Sequence, residues 1–337
     1  MKTEIFGTFG PACNSEEILK NMIEAGMTGM RLNLSHTTLS ESAKYIDAYT
    51  SAAKVYGTKL QILIDMKGPE LRVGHLKELM WLEDADEFTL CGQKTYDAQD
   101  DVSAQLPIPE EVLEVLEEAD QILLDDGKIL LQVISKSDIK NVKTCVLRGG
   151  SLSAGKSIKV MDKYVAMPPL TEHDIANIKV AKQYGVTALM QPFVLNGEDL
   201  RYVRSVLKEY DAEDIQIFAK IENRMGVENL EDILPEADVI VIARGDLGND
   251  MPLWELPRIQ KQIEATCKKH KKPYIVVTQM LASMEAHPVP TRAEVSDIYH
   301  AVYHGAWGVM VTGETAVGKY PVEAIRYLAN TAKEARR

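Results

Sequence analysis

Cysteine is scarce in this chain of 337 residues, and the four present, Cys13, Cys91, Cys145 and Cys267, are scattered. None forms a C-x-x-C pair, which excludes a zinc-ribbon or thioredoxin-like centre and leaves a reducing compartment as the simpler setting. Aromatic residues are few, at 6%, and no apolar run reaches the roughly 18 residues that a membrane span requires. The first residues enter a strand-like run, Thr3 to Phe9, without the charged and then apolar leader of an exported chain. A cytoplasmic location is expected. Positive charge is short as well: 38 Lys and Arg face 50 Asp and Glu, a formal net charge of −12. The average field of such a surface repels polyanions, so neither nucleic acid nor an anionic membrane is an expected partner. A small anionic substrate would need a local cluster of cations and metal ions working against that background.

Apolar residues are plentiful, at 45%, with 26% charged, enough to bury a sizeable core. From residue 1 to about 70 the pattern reads βαβαβ: strand TEIFGTF, helix EEILKNMIEAG, strand GMRLNLS, a helix from Ser40 to Tyr56, and strand LQILID. From 71 to 160 the style changes to short strand candidates, EFTL, QILLDDGKILLQVI and NVKTCVLR, with one modest helix candidate near EEVLEVLEEA. This β-rich module begins just after Gly68-Pro69, which reads as a hinge. From 161 to 337 the alternation resumes, with strands VTALMQPF, IQIFAKIE, DVIVIARG, PYIVVTQ and WGVMVTG set between amphipathic helices. The strands are near-continuous apolar runs, as expected where helices cover one face and a packed interior the other. Eight strands are counted, and removing roughly 90 inserted residues leaves about 250, the usual size of a (β/α)8 (TIM) barrel. The expected fold is therefore α/β, a (β/α)8 barrel with a small β-rich lid inserted after the third strand. A doubly wound open sheet is the competing reading, and the polar residues gathered at strand ends favour the barrel.

Polar residues in a buried parallel strand are costly unless they do something, and the working face of such a barrel lies at the strands' C-terminal ends. Arg31, Asn33 and Ser35 fall at i, i+2 and i+4 of the second strand and so share one face. Lys220 and Glu222 do the same in the fifth. The sixth strand is apolar until Arg244-Gly245-Asp246, the seventh ends at Thr278, and the eighth at Thr312-Gly313-Glu314. Neighbouring strands lie about 4.8 Å apart, so Glu222 and Asp246 could share one hard cation, Mg²⁺ or Mn²⁺. The plainer reading of Lys220 and Glu222 is a structural ion pair. Asn33, Ser35 and Asp65 form a second oxygen-rich group, which a hydrogen-bond network would explain equally well.

The segments FGTFGPA, GMRLNLSH, DMKGPELR, DDGKI, AKIENRMGVENL, ARGDLG, TQMLASM, PTRAEVSD and TGETAVGKYPVEA resemble the motifs of the pyruvate kinase family, in that family's order. The resemblance implies transfer of a phosphoryl group from phosphoenolpyruvate to ADP, giving pyruvate and ATP. It implies that Arg31 holds the phosphoryl group and that Lys220 stabilises it in flight. Glu222 and Asp246 would hold Mg²⁺ (or Mn²⁺), and the backbone N–H groups of Gly245 and Asp246 the substrate carboxylate. Asn33, Ser35, Asp65 and the carbonyl of Met66 match the family's K⁺ ligands. Thr278 would lie on the side from which the enol carbon is protonated. Asn33, His36, Arg72 and Lys156 would face the nucleotide phosphates, and the lid would close over them. Glu70 accompanies K⁺ dependence in this family, so K⁺ stimulation is expected.

The chain also departs from that pattern. It stops just past the last barrel helix, where the family continues into a further α/β domain with a sugar-phosphate effector site. The expected consequences are no activation by fructose 1,6-bisphosphate and a homodimer or other homo-oligomer formed through barrel surfaces. After the fourth strand the family's Ala-Ser-Phe reads Gln191-Pro192-Phe193, and the return hinge, typically Asn-Leu-Pro-Gly, reads Lys159-Val160-Met161-Asp162. Two other readings therefore stand beside the kinase: a pyruvate-enolate aldolase or lyase, and a catalytically weakened sensor of phosphoenolpyruvate or pyruvate. Thr278 could simply bond the backbone at its strand end, and Asp125-Asp126-Gly127 could be a hairpin turn and nothing more.

Overall fold

The structure, a computed structural model, describes residues 2–35, 37–57, 60–125, 127–161 and 163–337. The chain divides into two compact units, Met1–Gly68 with Pro169–Arg337, and Pro69–Pro168.

The first unit is a closed barrel of eight parallel strands. They are β1 (Glu4–Thr8), β2 (Gly29–Asn33), β3 (Gln61–Asp65), β4 (Ala188–Gln191), β5 (Gln216–Ile221), β6 (Val239–Ala243), β7 (Tyr274–Val277) and β8 (Gly308–Met310). Each strand pairs with its sequence neighbours, and β8 closes on β1 through Glu4↔Gly308, Ile5↔Val309 and Phe6↔Met310. This is the (β/α)8 barrel expected from the apolar runs, and β6, buried at all five positions, shows why they are so continuous. One side of each strand meets the barrel interior and the other meets helices, so both are mainly apolar until the C-terminal ends.

The interior is filled by Phe6, Leu63, Met190, Phe218, Val241, Val277 and Met310. Trp307 packs against Phe6 and Phe218 with ring centroids 6.0 and 6.1 Å away. Phe6 fits because the flanking strands offer glycine there: a Cβ on Gly29 would stand 2.5 Å from the Phe6 ring, and one on Gly308 2.9 Å. Truncating Phe218 to alanine would cost about 3–5 kcal/mol, from lost burial and the cavity left behind.

Helices cover the outside by turning apolar stripes inward, such as Leu200, Val203 and Leu207 of Gly197–Glu209 and Ile259, Ile263 and Cys267 of Leu256–Lys269. Their starts are written locally. Thr171 and Asp174 form a capping box on Glu172–Ala181, and Thr291 with Glu294 does so on Arg292–Tyr303. Asp174 also anchors a distant segment. Its carboxylate accepts from the backbone N–H groups of Lys67 at 2.8 Å and Gly68 at 3.1 Å, fixing the chain as it leaves β3. After β5 the chain forms two short helices, Arg224–Glu228 and Leu230–Ile233, meeting at Asn229.

The second unit holds a six-stranded sheet in the order Ile158–Val160, Gln121–Leu124, Ile129–Lys136, Val142–Arg148, Glu87–Cys91, Gln105–Pro107. Its last pair is parallel and the others antiparallel. Met80–Leu82 and Gly150–Leu152 form a separate two-stranded sheet. Leu90, Leu106, Leu124, Leu131 and Val142 belong to a core of its own. Lys159 and Val160, read from sequence as part of a hinge, lie in a strand paired to Gln121–Leu124. Asp162 lies outside the described residues, as does Asp126 of the turn. Asp125 beside it has φ +49°, and its carboxylate takes Lys128 at 2.9 Å and Lys156 at 2.7 Å.

Candidate active site

Strand parity builds the site. Phe218 points into the barrel, so Lys220 and Glu222, two and four residues later, continue on the same side at its C-terminal end. Leu63 leads in the same way to Asp65, and Gly29 to Arg31 and Asn33. An apolar layer is thus followed by a charged one.

Asp65, 2% exposed, is the hub. Its Oδ2 accepts from Arg31 Nε at 2.8 Å and pairs with Nη2 at 2.6 Å, while its Oδ1 accepts from Lys220 Nζ at 3.2 Å. Arg31 Nη1 also donates to Thr8 Oγ1 at 3.3 Å. Lys220 Nζ lies 2.8 Å from Glu222 Oε1, and the Phe193 backbone N–H donates to Glu222 Oε2 at 2.8 Å. Glu222 is 3% exposed. Its Oε1 is buried, with the Lys220 ammonium as its close polar neighbour among the described residues.

Charge states follow from these contacts. Burial drives the Asp65 carboxyl upward, but Lys220 and Arg31 outweigh it and hold it below the usual carboxylate range. Burial works against the Lys220 ammonium, and Asp65 and Glu222 reverse that, holding its pKa above the ordinary lysine value. Glu222 goes the other way: burial, reinforced by the negative charge of Asp246 and opposed by Lys220, pushes it up to about 7. A carboxyl poised near neutrality beside a second acidic group fits a site where a cation replaces a proton.

Asp246 is exposed in the first turn of helix Arg244–Asp250, directly after β6. Gly245 permits a close approach there, since a Cβ would stand 2.9 Å from Thr278 Cγ2. Thr278 and Gln279 have φ +79° and +55°, consecutive non-glycine residues in the left-handed region. Asn33 Oδ1 accepts from the Ser35 N–H at 3.1 Å and from its hydroxyl at 2.9 Å, and Asn33 stands in register with Asp65. Met66 is buried beyond β3, its N–H donating to Met190 O at 3.1 Å.

His36 lies outside the described residues. Arg72 and Lys156 belong to the second unit. Arg72 donates to Glu70 from Nε at 2.8 Å and from Nη2 at 2.9 Å, and Lys156 lies 2.7 Å from Asp125. Glu314, noted at the end of the eighth strand, is structural: it is 1% exposed and accepts backbone N–H groups from Leu281 at 3.0 Å and Thr312 at 2.7 Å. Sequence reasoning missed three contributors: Asp65 as the partner of both cations, the Phe193 N–H on Glu222, and Arg244. Phe193 has φ +54°, a conformation that no pattern of residue types announced.

Among the described residues no group of three or more His, Cys, Asp or Glu side chains is arranged to hold a metal. The barrel mouth instead offers two carboxylates, the buried Glu222 and the exposed Asp246. That set suits a hard divalent ion that completes its shell with water and substrate oxygens.

The fold and this cluster define a (β/α)8-barrel protein whose mouth carries two largely shielded cations beside carboxylates suited to a hard metal ion. The family model described as "Pyruvate kinase, barrel domain" matches residues 1–325. The chain is 38% identical over 336 residues to a pyruvate kinase of Staphylococcus saprophyticus, covering 99% of this chain and 57% of that protein. It is 38% identical over 333 residues to one of Geobacillus stearothermophilus, covering 98% and 56%. With one of the yeast Debaryomyces hansenii the identity is 36% over 339 residues, covering 98% and 66%. This chain belongs to the pyruvate kinase family, and it spans 56–66% of the length of these relatives.

Proposed function

We propose that this chain transfers the phosphoryl group of phosphoenolpyruvate to ADP, giving pyruvate and ATP. The observation that carries the reading is the arrangement of Arg31 and Lys220 on the two oxygens of one buried carboxylate, with Glu222 beside the ammonium. Phosphoryl transfer asks a protein mainly for position and for charge stabilisation around a loose in-line transition state, which two fixed cations supply. Arg31 engages the phosphoryl oxygens and Lys220 follows their charge as the bond from phosphorus to the enol oxygen breaks and the bond to the ADP oxygen forms. The enolate left behind takes a proton at its terminal carbon from the side of Thr278. The N–H groups of Gly245 and Asp246 hold the substrate carboxylate.

Glu222 and Asp246 would hold Mg²⁺ or Mn²⁺, which when bound supplies Lewis acidity toward substrate oxygens. Asn33, Ser35, Asp65 and the Met66 carbonyl, all hard oxygen donors, would hold K⁺, with Glu70 again pointing to K⁺ stimulation. The nucleotide roles of Asn33, His36, Arg72 and Lys156 belong to the same proposal. So does a cytoplasmic location; among the described residues no helix is long and apolar enough to cross a membrane.

The test is a lactate-dehydrogenase-coupled assay with phosphoenolpyruvate, ADP, Mg²⁺ and K⁺. Turnover in the wild type and its loss in Lys220→Met is the expected result. Tight substrate binding with no turnover would overturn the kinase reading in favour of a sensor. Cleavage of a 2-oxo-4-hydroxy acid without ADP would favour a lyase.

A further inference from the structure

Thr278 is β-branched, and for such a residue φ +79° is an outlier that persists only where surrounding contacts enforce it. Gln279 follows at +55°, so the strain is carried by two residues in succession. Among the described residues, the side-chain hydrogen bonds to the carbonyls of this turn come from one residue. Arg244, at the junction of β6 with helix Arg244–Asp250, donates to the Thr278 carbonyl from Nε at 3.2 Å and from Nη2 at 2.8 Å. Nη2 also reaches Gln279 O at 3.4 Å and Met280 Sδ at 2.9 Å. The other edge of the guanidinium is anchored, with Nη1 2.6 Å from Asp297 Oδ2 on helix Arg292–Tyr303. The arginine side chain is 12% exposed, so these contacts are shielded from competing water.

We propose that Arg244 is a positioning residue for Thr278. Gripping the Thr278 carbonyl with two donors and braced by Asp297, it holds the Thr278–Gln279 turn in its left-handed form and so fixes where the Thr278 hydroxyl stands beside Gly245. Only the planar five-donor fork suits this position, because one group must reach two successive carbonyls on one edge and a carboxylate on another. The same residue precedes Gly245 and Asp246 in the chain. The turn bearing the proton-relay hydroxyl is therefore tied to the turn bearing the proposed metal carboxylate. This inference rests on the proposed kinase function only for the consequence at the reacting carbon; the conformational claim stands apart from it.

The experiment compares wild type, Arg244→Leu, Asp297→Asn and the double variant Arg244→Leu/Gln279→Gly. Three quantities are measured: deuterium uptake at the methyl carbon of pyruvate, steady-state turnover and Mn²⁺ affinity. A misplacement of about 1 Å costs on the order of 100-fold in a positioned reaction, so Arg244→Leu should lose roughly 10- to 100-fold in both exchange and kcat. KM for phosphoenolpyruvate and Mn²⁺ affinity should hold. Asp297→Asn should show a smaller loss of the same kind. Glycine at 279 tolerates positive φ at no steric cost, so the double variant should recover part of the exchange, which a general loss of stability would not allow. Exchange at the wild-type rate in Arg244→Leu, or a loss that tracks Mn²⁺ affinity, would overturn the proposal. So would a crystal structure of Arg244→Leu with Thr278 and Gln279 still at positive φ, and that result decides the matter even if the wild type proves to have no kinase activity.

Discussion

The raised pKa of Glu222 should make the proposed metal binding pH-dependent around neutrality. A metal ion takes the ionised carboxylate, so below about pH 7 it must displace a proton, and its apparent dissociation constant grows by the factor 1 + 10^(pKa − pH). That factor is about 11 at pH 6 and about 1.1 at pH 8, so Mn²⁺ affinity should fall about tenfold between pH 8 and pH 6. Titration of Mn²⁺ followed by electron paramagnetic resonance reads this directly. Calorimetry in two buffers of different ionisation heat should find about half a proton released per ion at pH 7. In Glu222→Gln the affinity should be weak and the pH dependence gone. The sign for stability runs opposite to the usual carboxylate case. The folded chain holds this proton more tightly than the unfolded chain, whose carboxyl titrates near 4.5. Without metal, the group's contribution is therefore fully present below pH 4.5 and is lost as pH rises through about 7. The loss is on the order of 3 kcal/mol, and saturating metal should offset it. Equal Mn²⁺ affinity at pH 6 and pH 8, or an unchanged slope in Glu222→Gln, would refute the reasoning.

Asp65→Asn should destabilise the chain by about 3–5 kcal/mol in denaturant unfolding, because it leaves the shielded Arg31 charge without its carboxylate and Lys220 with Glu222 alone. Phosphate should restore more stability to that variant than to wild type, and equal unfolding midpoints in plain buffer would count against the hub role. Among the thiols, burial pushes Cys13 and Cys91 up to about 11 and Cys267 to about 12, and all three are buried, whereas Cys145 is half-buried. Native protein at pH 8 should present one readily labelled thiol to an aromatic disulfide reagent and denatured protein four; rapid native labelling of two or more would contradict the packing.

What the residue order disclosed is what depends on local period. The eight strands are legible because each is a mainly apolar run, and the helix starts because Thr171 with Asp174 and Thr291 with Glu294 are capping boxes within four residues. Lys220 and Glu222 at i and i+2 point one way whatever surrounds them, and their closeness in the barrel follows from that alone. The hidden features all need a partner distant in sequence or an unusual dihedral. Asp65 looks like one more oxygen donor until strand pairing sets it between Arg31 and Lys220. Arg244 looks like the start of a motif until closure of the barrel brings Thr278 and Asp297 to it. The short helix Gln93–Asp97 spans too few residues to show a period at all.

The charges at the barrel mouth resolve the tension between a strongly acidic chain and the anionic substrates proposed for it. Arg31 and Lys220 supply two positive charges, while Asp65, Glu222 and Asp246 supply three negative ones when all are ionised. The bare cluster is thus net negative by one, and it does not recruit a phosphorylated acid against the field of a chain carrying −12. Protonating Glu222, which burial makes available near neutral pH, brings the cluster only to neutrality. A divalent cation on Glu222 and Asp246 changes its sign, leaving one net positive charge with Arg31 and Lys220 already fixed around it. On the proposed function, cation and substrate affinity should therefore be coupled by the site's own charge balance, each strengthening the other by linkage. The burial of Glu222, costly to the bare fold, would make that coupling steep, because a carboxylate shielded from water gains more from a cation than an exposed one.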